Sequence, residues 1–142
     1  MLLVMAATGA IHSALRPNLP YDLERNPVPI SLLTITPLAP VVPPSAPARN
    51  VSELVALTPK QPGKLNYGTS GAGSTSHLAG EALNAFASIK LHHIPFKGGA
   101  ESVVAADSGQ VDMSLPGITA VPPLANTGKV RALAVTTLDA AR

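Results

Sequence analysis

The residues best suited to chemistry form one run of glycine and hydroxyl residues. The run spans residues 68–77 and reads Gly-Thr-Ser-Gly-Ala-Gly-Ser-Thr-Ser-His. Its glycines let a ligand approach the backbone, and its hydroxyls offer hydrogen-bond donors. If a helix follows, unpaired N–H groups and the positive end of a helix dipole lie at the same place. The run therefore predicts a site for a carboxylate or phosphate group, although an ordinary serine-capped helix start uses the same residue types.

Three enzyme motifs are incomplete in this run. A P-loop needs lysine where Ser74 stands, a dinucleotide fingerprint needs glycine at Ser76, and a nucleophile elbow needs glycine at Ala72. No general base oriented by a second polar group accompanies the hydroxyls, so we assign no catalytic residue and expect no enzyme. Two alternatives stay open, namely an α/β enzyme that uses the loop 70–76 on an anionic substrate, and a non-functional remnant.

The histidines and one lysine are weaker candidates. His92 and His93 alternate along a predicted strand, so they point to opposite faces and cannot share a metal ion. His77 near a helix N-terminus suits a neutral, hydrogen-bonding role, because the dipole disfavours its charged form. Lys97 lies beside the flexible Gly98 and could attract an anion, but a solvated lysine is the ordinary alternative. We expect neither a metal site nor a cofactor.

Composition excludes several classes of function. The chain has 142 residues, a formal net charge of +2, no cysteine and only four aromatic residues. It therefore forms no disulfide, its scattered basic residues provide no track for nucleic acid, and few aromatics are present to stack on bases. No apolar run is long enough to insert into a membrane. The opening residues 1–7 lack a basic segment, so we expect a buried strand there rather than a signal peptide.

Proline separates two parts of the chain. Nine prolines fall between residues 16 and 48, where we expect extended chain over residues 28–42 that crosses between two packing units. From Asn50, which can cap a helix with Glu53 at its third position, helices and strands alternate. The predicted helices span residues 50–58, 74–89, 100–108 and 119–127, and the predicted strands span residues 64–68, 91–96, 111–115 and 130–136. In the longest helix the apolar residues Leu78, Ala82, Phe86 and Ile89 share one stripe.

This alternation predicts an α/β fold with a mainly parallel sheet covered by helices. Ligands bind such sheets at the carboxyl ends of the strands. We therefore expect the loops at residues 68–77, 96–101 and 116–119 to lie together.

Several ordered motifs resemble the Bug family, the extracytoplasmic solute receptors of tripartite tricarboxylate transporters. They are Pro-Gly-Lys-Leu-Asn-Tyr-Gly at 62–68, the loop continuing to Leu-Ala-Gly-Glu at 78–81, His-Ile-Pro-Phe-Lys-Gly-Gly at 93–99, Ser-Gly-Gln-Val-Asp at 108–112 and Gly-Lys-Val-Arg-Ala-Leu-Ala-Val-Thr at 128–136. Residues 6–12 and 19–22 are similar to the family's first lobe. The resemblance covers essentially the whole chain, which in turn covers about the middle half of a receptor.

The resemblance implies a type II periplasmic-binding-protein fold that closes over a small carboxylate. Residues 1–48 would form part of a first lobe and the inter-lobe crossing, and residues 49–142 the second lobe, ending in or near a return crossing. It also implies a periplasmic location and a partnership with the membrane components of a tripartite transporter. The ligand-binding positions carried over are Thr8, Gly9, Ser70, Gly71, Gly73, Ser74, Thr75 and Ser76, and less surely Lys97 and Gly98.

Overall fold

The computed structural model describes residues 5, 7–16, 18–20, 22, 25, 27–60 and 63–137. The strand expected at residues 1–7 falls largely outside the described residues. The helices are α1 (Thr8–Leu15), α2 (Val51–Leu57), α3 (Thr75–Ala87), α4 (Gly99–Asp107) and α5 (Pro122–Ala125). The strands are β1 (Val41–Val42), β2 (Asn66–Thr69), β3 (His92–Pro95), β4 (Met113–Ser114) and β5 (Arg131–Ala132). Short 3-10 turns span Thr58–Lys60 and Ile118–Ala120.

One mixed sheet organises the described part of the chain. Its strand order is β3-β2-β4-β1-β5. β2 pairs in parallel with both β3 and β4, whereas β1 pairs antiparallel with β4 and β5. Four strands therefore run in one direction and only β1 opposes them. The expected mainly parallel sheet is confirmed, with one reversed strand inserted between β4 and β5.

Helices cover both faces of this sheet. Val41 and Val42 are fully buried and point to opposite faces. Val41 belongs to a core cluster that includes Val103 of α4, and Val42 to a cluster that includes Leu54 of α2. β1 precedes residue 49, so the sheet contains residues from both sides of the lobe boundary expected from the sequence.

The start of α2 forms as its sequence predicts. The Asn50 side chain accepts a hydrogen bond from Glu53 N at 2.8 Å. The Glu53 carboxylate in turn accepts from Arg49 N at 2.7 Å. The two side chains thus satisfy free N–H groups at the helix start, and the predicted capping residue is confirmed.

Three of the four residues of the apolar stripe predicted for α3 are exposed, and the fourth, Ile89 just beyond the helix, packs against a core cluster. Phe86 is 92% exposed and Leu78 is 50% exposed. The residues that α3 buries are instead the small Ser76 and Gly80. Their small side chains let the helix lie close to the aromatic residues of the sheet beneath it, a packing that hydrophobic periodicity does not report.

Three later elements are shorter than the sequence predicts, the first being the strand expected over residues 111–115, which forms only at Met113–Ser114. The helix expected over residues 119–127 is a 3-10 turn followed by the four-residue α5, because Pro122 and Pro123 lack the N–H groups that a continuous helix needs. The strand expected over residues 130–136 pairs regularly only at Arg131–Ala132, since β1 offers only two residues. Two isolated backbone hydrogen bonds continue the contact: Leu133 N donates to Pro40 O at 2.8 Å, and Thr136 N donates to Leu38 O at 3.0 Å.

The proline-rich segment is extended, but its two halves differ in burial. Val28 is 85% exposed and Ile35 75% exposed, with three apolar residues between them similarly exposed. Ala39 and Ala48 are fully buried in the cores beside the sheet. Residues 39–48 are thus part of the packed unit, whereas residues 28–35 are not.

Candidate functional site

Three loops meet at the carboxyl edge of the parallel strands. β2, β3 and β4 run in the same direction, so the segments that follow them lie at one edge. Phe96 N donates to Thr69 O at 3.0 Å, which joins the loop after β3 to the end of β2. A Cβ built on Gly99 would lie 3.6 Å from Pro116, which joins the loops after β3 and β4. The predicted grouping of these loops is confirmed.

The loop between β2 and α3 is a tight turn that glycine makes possible. Gly71 and Gly73 have φ angles of +120° and +74°, which other residues rarely adopt. The turn closes when Ser74 N donates to Gly71 O at 3.3 Å and Ser74 Oγ donates to the same oxygen at 2.7 Å. Ser74 Oγ also accepts from His77 N at 3.2 Å, so Ser74 is the N-cap of α3.

Three serine hydroxyls of this loop bond to one another. Ser76 Oγ lies 3.0 Å from Ser70 Oγ and 2.9 Å from Ser74 Oγ, and it accepts from Ser70 N at 3.1 Å. Ser74 and Ser76 are buried, at 6% and 1% exposure. These hydroxyls set the shape of the loop in this structure, as an ordinary helix cap also would.

Several other donors of the loop have no partner in the described part of the chain. They are the backbone N–H groups of Ala72, Thr75 and Ser76 and the hydroxyl of Thr75. They lie at the N-terminus of the 13-residue α3, where the helix dipole places a partial positive charge. Unpaired donors and a positive field are what an anion requires.

A stack of imidazoles supports the loop from below. Gly73 N donates to His77 Nδ1 at 3.2 Å, so His77 accepts a hydrogen bond as its predicted neutral role requires. The His77 and His93 rings stack with centroids 3.9 Å apart, and His93 Nε2 lies 2.7 Å from Thr69 Oγ1. Burial and the charge of His77 lower the pKa of His93, while Glu81 opposes them. His92 is exposed and lies apart from this stack, as the predicted alternation requires.

Helix α1 lies against the same loop. A Cβ on Gly73 would come within 3.1 Å of the His12 ring and 3.6 Å of Leu15 Cδ1. Thr8 precedes His12 by four residues and therefore shares its face of α1. Gly9 is the second residue of α1, and its carbonyl accepts from Ser13 Oγ at 3.3 Å. Residues more than sixty positions apart are thereby brought to one place.

Lys97 and Gly98 lie on the neighbouring loop. Lys97 N donates to Glu101 Oε2 at 3.0 Å, and Gly98 is the N-cap of α4. The Lys97 side chain is exposed. This arrangement fits the solvated lysine that the sequence left open, at the same edge of the sheet as the serine loop.

Among the described residues at this edge of the sheet, no exposed hydroxyl is hydrogen-bonded to a base that could activate it as a nucleophile. The hydroxyl beside an imidazole belongs to Thr69, which is fully buried and also bonded to the backbone of Gly71. Within residues 27–60 and 63–137 and the described positions before them, no three acidic or histidine side chains are grouped to hold a metal ion. No helix in the described ranges is long and apolar enough to cross a bilayer.

Sequence reasoning located the loop but missed part of its surroundings. It gave no ligand-binding role to Ala72, whose contribution is a backbone N–H, and it did not predict that Thr69 and His93 lie together beneath the loop. Alternation along β3 gave the only signal for His93, because it indicated that His92 and His93 face opposite sides. The contact of His12 with Gly73 left no signal in the sequence.

Comparison with known proteins gives a consistent picture. The profile of the tripartite tricarboxylate transporter family receptor matches residues 1–141. A UPF0065 protein from the tcbD-tcbE intergenic region of Pseudomonas sp. strain P51 is 35% identical over 123 residues, which is 87% of this chain and 37% of that protein.

Solved structures of similar proteins share the fold. A periplasmic transporter has a TM-score of 0.85 and 29% identity over 94% of this chain and 45% of its own. MatC from Rhodopseudomonas palustris with bound malate has a TM-score of 0.80 and is 27% identical, over 91% of this chain and 44% of its own. Rpa4515 from R. palustris with adipate has a TM-score of 0.71 and is 32% identical, over 73% of this chain and 35% of its own. The chain thus spans less than half the length of the proteins that it matches.

Proposed function

Since the chain belongs to the tripartite tricarboxylate transporter receptor family, we propose that it builds one wall of a cleft that binds a small organic carboxylate. The observation that carries this proposal is the set of unpaired N–H groups at Ala72, Thr75 and Ser76. They offer hydrogen bonds and a positive dipole end to an anion without any lysine in the loop.

The solved relatives support a carboxylate as the class of ligand. One of them holds malate and another holds adipate, and both share this fold. Malate and adipate carry two carboxylates each, so one could contact the α3 N-terminus while the other reaches elsewhere in a complete cleft. The proposal names this class of ligand and not one compound within it.

We assign the site residues different roles. Gly71 lets the ligand approach the backbone, Gly73 holds the turn at its positive φ, Ser70, Ser74 and Ser76 hold the loop shape, and Thr75 supplies a free hydroxyl. Thr8 and Gly9 enter the site from α1, which already contacts Gly73 through His12. Lys97 attracts the anion from the adjacent loop, mainly through a screened field, and Gly98 lies beside it at the N-cap of α4.

The wider assignment follows from the family. Residues 1–48 form part of the first lobe and the inter-lobe crossing, and residues 49–142 form the second lobe, into whose sheet and core residues 39–48 of the crossing pack. The protein acts as a periplasmic receptor that delivers its ligand to the membrane components of a tripartite transporter. It acts as a binding protein rather than an enzyme, because the family to which it belongs is one of transporter receptors.

Calorimetric titration of the chain with malate and adipate tests the proposal. Adipamide is the matched control, since it has the length of adipate without its charges. We expect heat of binding from one or both carboxylates and none from adipamide. In Lys97→Ala the affinity should fall at low ionic strength and match the parent at high salt, because an exposed charge acts over about one Debye length. Equal binding of adipate and adipamide, or binding of neither malate nor adipate, would reject the anion site.

A further inference from the structure

We propose that His77 is a positioning residue that holds the anion-binding loop in its binding shape only while its imidazole is neutral, so that carboxylate affinity falls on acidification. The inference rests on the proposed function, because it concerns the same loop. It adds a proton-sensitive support beneath the site. His77 itself need not touch the ligand.

The hydrogen bond from Gly73 N to His77 Nδ1 ties the loop to the imidazole. It measures 3.2 Å, and its acceptor must be a nitrogen with a free lone pair. Only the tautomer with its proton on Nε2 provides that lone pair at Nδ1. Protonation places an N–H at Nδ1, which then faces the N–H of Gly73 and cannot accept from it.

Gly73 is the residue through which this change would reach the ligand. It lies between Ala72 and Thr75, whose N–H groups are free for an anion. Its φ of +74° is held by the turn and by the bond to His77. Loss of that bond releases the Gly73 peptide and misaligns the N–H groups on either side of it.

The groups around His77 limit how much charge it can carry. His93 of β3 stacks on it at 3.9 Å, and two stacked imidazolium ions repel each other. His12 of α1 packs against Gly73 on the other side of the bond. Glu81, one turn further along α3, favours a positive charge, but it already accepts from the Tyr67 hydroxyl of β2 at 2.6 Å. A proton on Nδ1 of His77 removes the acceptor for Gly73 N, and a second charge on the stacked His93 ring is then disfavoured.

Two substitutions distinguish the role of His77 as a hydrogen-bond acceptor for Gly73 N from its ability to take up a proton. In His77→Asn, the side-chain oxygen occupies nearly the position of Nδ1 and can accept from Gly73 N without titrating. In His77→Gln, the oxygen lies one bond further out, near the position of Nε2, and misses Gly73. The pair is matched in polarity and differs in where the acceptor lies.

Adipate affinity of the full chain is measured from about pH 8 to about pH 5.5, the range in which imidazoles titrate. We expect the parent to lose about two- to tenfold on acidification, the effect of one hydrogen bond. His77→Asn should bind like the parent at high pH and lose less on acidification, while His77→Gln should bind weakly throughout. Titration of adipate itself affects all three proteins equally and cancels in the comparison.

The Gly73 amide resonance and the His77 ring nitrogens give an independent readout by NMR. The Gly73 signal should move with the titration of His77 in the parent and stay fixed in His77→Asn. Identical pH profiles for parent and His77→Asn, or affinity that rises in the parent on acidification, would overturn the inference and leave the proposed function intact. Failure of every variant to bind either adipate or malate at high pH would overturn the proposed function, and the inference with it. If His77→Asn does not fold, a parent His77 protonated on Nδ1 at high pH suffices to reject the inference.

Discussion

Gly80 of α3 lies directly over the ring of Tyr67, and a Cβ on Gly80 would fall 2.1 Å from Tyr67 Cε2. No side chain fits at that distance, so α3 can rest on the sheet only where it carries glycine. The Tyr67 hydroxyl donates a hydrogen bond at 2.6 Å to Glu81, the next residue of the helix. This contact fixes the height of α3, and therefore of its N-terminal loop, above β2.

Gly80→Ala should therefore destabilise the protein although alanine favours helices. The clash is expected to lower the free energy of unfolding by about 1–3 kcal/mol, against the gain of about 1 kcal/mol that alanine brings to an open helix position. Urea denaturation measures the change. In a Tyr67→Leu background the penalty should shrink, and an equal penalty in both backgrounds would show that the ring is not the cause.

Tyr67 should make the protein sensitive to alkali. Burial, and then the hydrogen bond and charge of Glu81, raise the pKa of Tyr67 well above its usual value. Above about pH 10 the unfolded tyrosine loses its proton while the folded one keeps it, so stability falls as pH rises, by up to about 1.4 kcal/mol per pH unit. Urea denaturation between about pH 9 and about pH 11 should show a steeper loss for the parent than for Tyr67→Phe. Parallel curves would contradict the assignment, since Tyr21 is present in both proteins.

Ser74→Ala should reduce stability as well as binding. Ser74 Oγ caps α3 and bonds to Gly71 O, and the residue is only 6% exposed. Removal of such a cap is expected to cost about 1–2 kcal/mol in thermal denaturation. Ser52→Ala is the matched control, because Ser52 is exposed within α2. Equal melting temperatures for the two variants would mean that the cap bonds contribute nothing.

The contact between Gly73 and α1 can be measured against a second glycine. Gly73 and Gly109 both have φ of +74°, but a Cβ at Gly109 would meet nothing within 4 Å. Alanine at either position strains the backbone, and at Gly73 it should also push against His12. Gly73→Ala should therefore accelerate amide hydrogen exchange in α1, whereas Gly109→Ala should not. Equal exchange in α1 for both variants would show that the packing of α1 does not depend on this contact.

The sequence predicts those parts of the fold that local chemistry determines. Asn50 and Glu53 mark the start of α2, and the glycine-serine run marks the turn into α3. The grouping of three loops at one sheet edge follows from strand direction alone. These signals depend on neighbours within a few residues or on a topological rule.

The parts of the fold and of the site that the sequence did not predict depend on contacts between residues far apart in the chain. The buried face of α3 is defined by the ring of Tyr67 under Gly80, so the visible apolar stripe through Leu78 and Phe86 gave the wrong face. The stack of His77 on His93 likewise joins a helix to a strand that follows it, and each histidine alone looks isolated. Spacing within one element carries no information about such pairs.

Amide-resolved NMR titration of the chain with adipate reports each N–H of the proposed anion site separately. The amides of Ala72, Thr75 and Ser76 should shift most, along one saturating curve, and adipamide should leave them in place. Adipate binding that leaves these three amides unmoved, or shifts that adipamide reproduces, would contradict the proposed anion site.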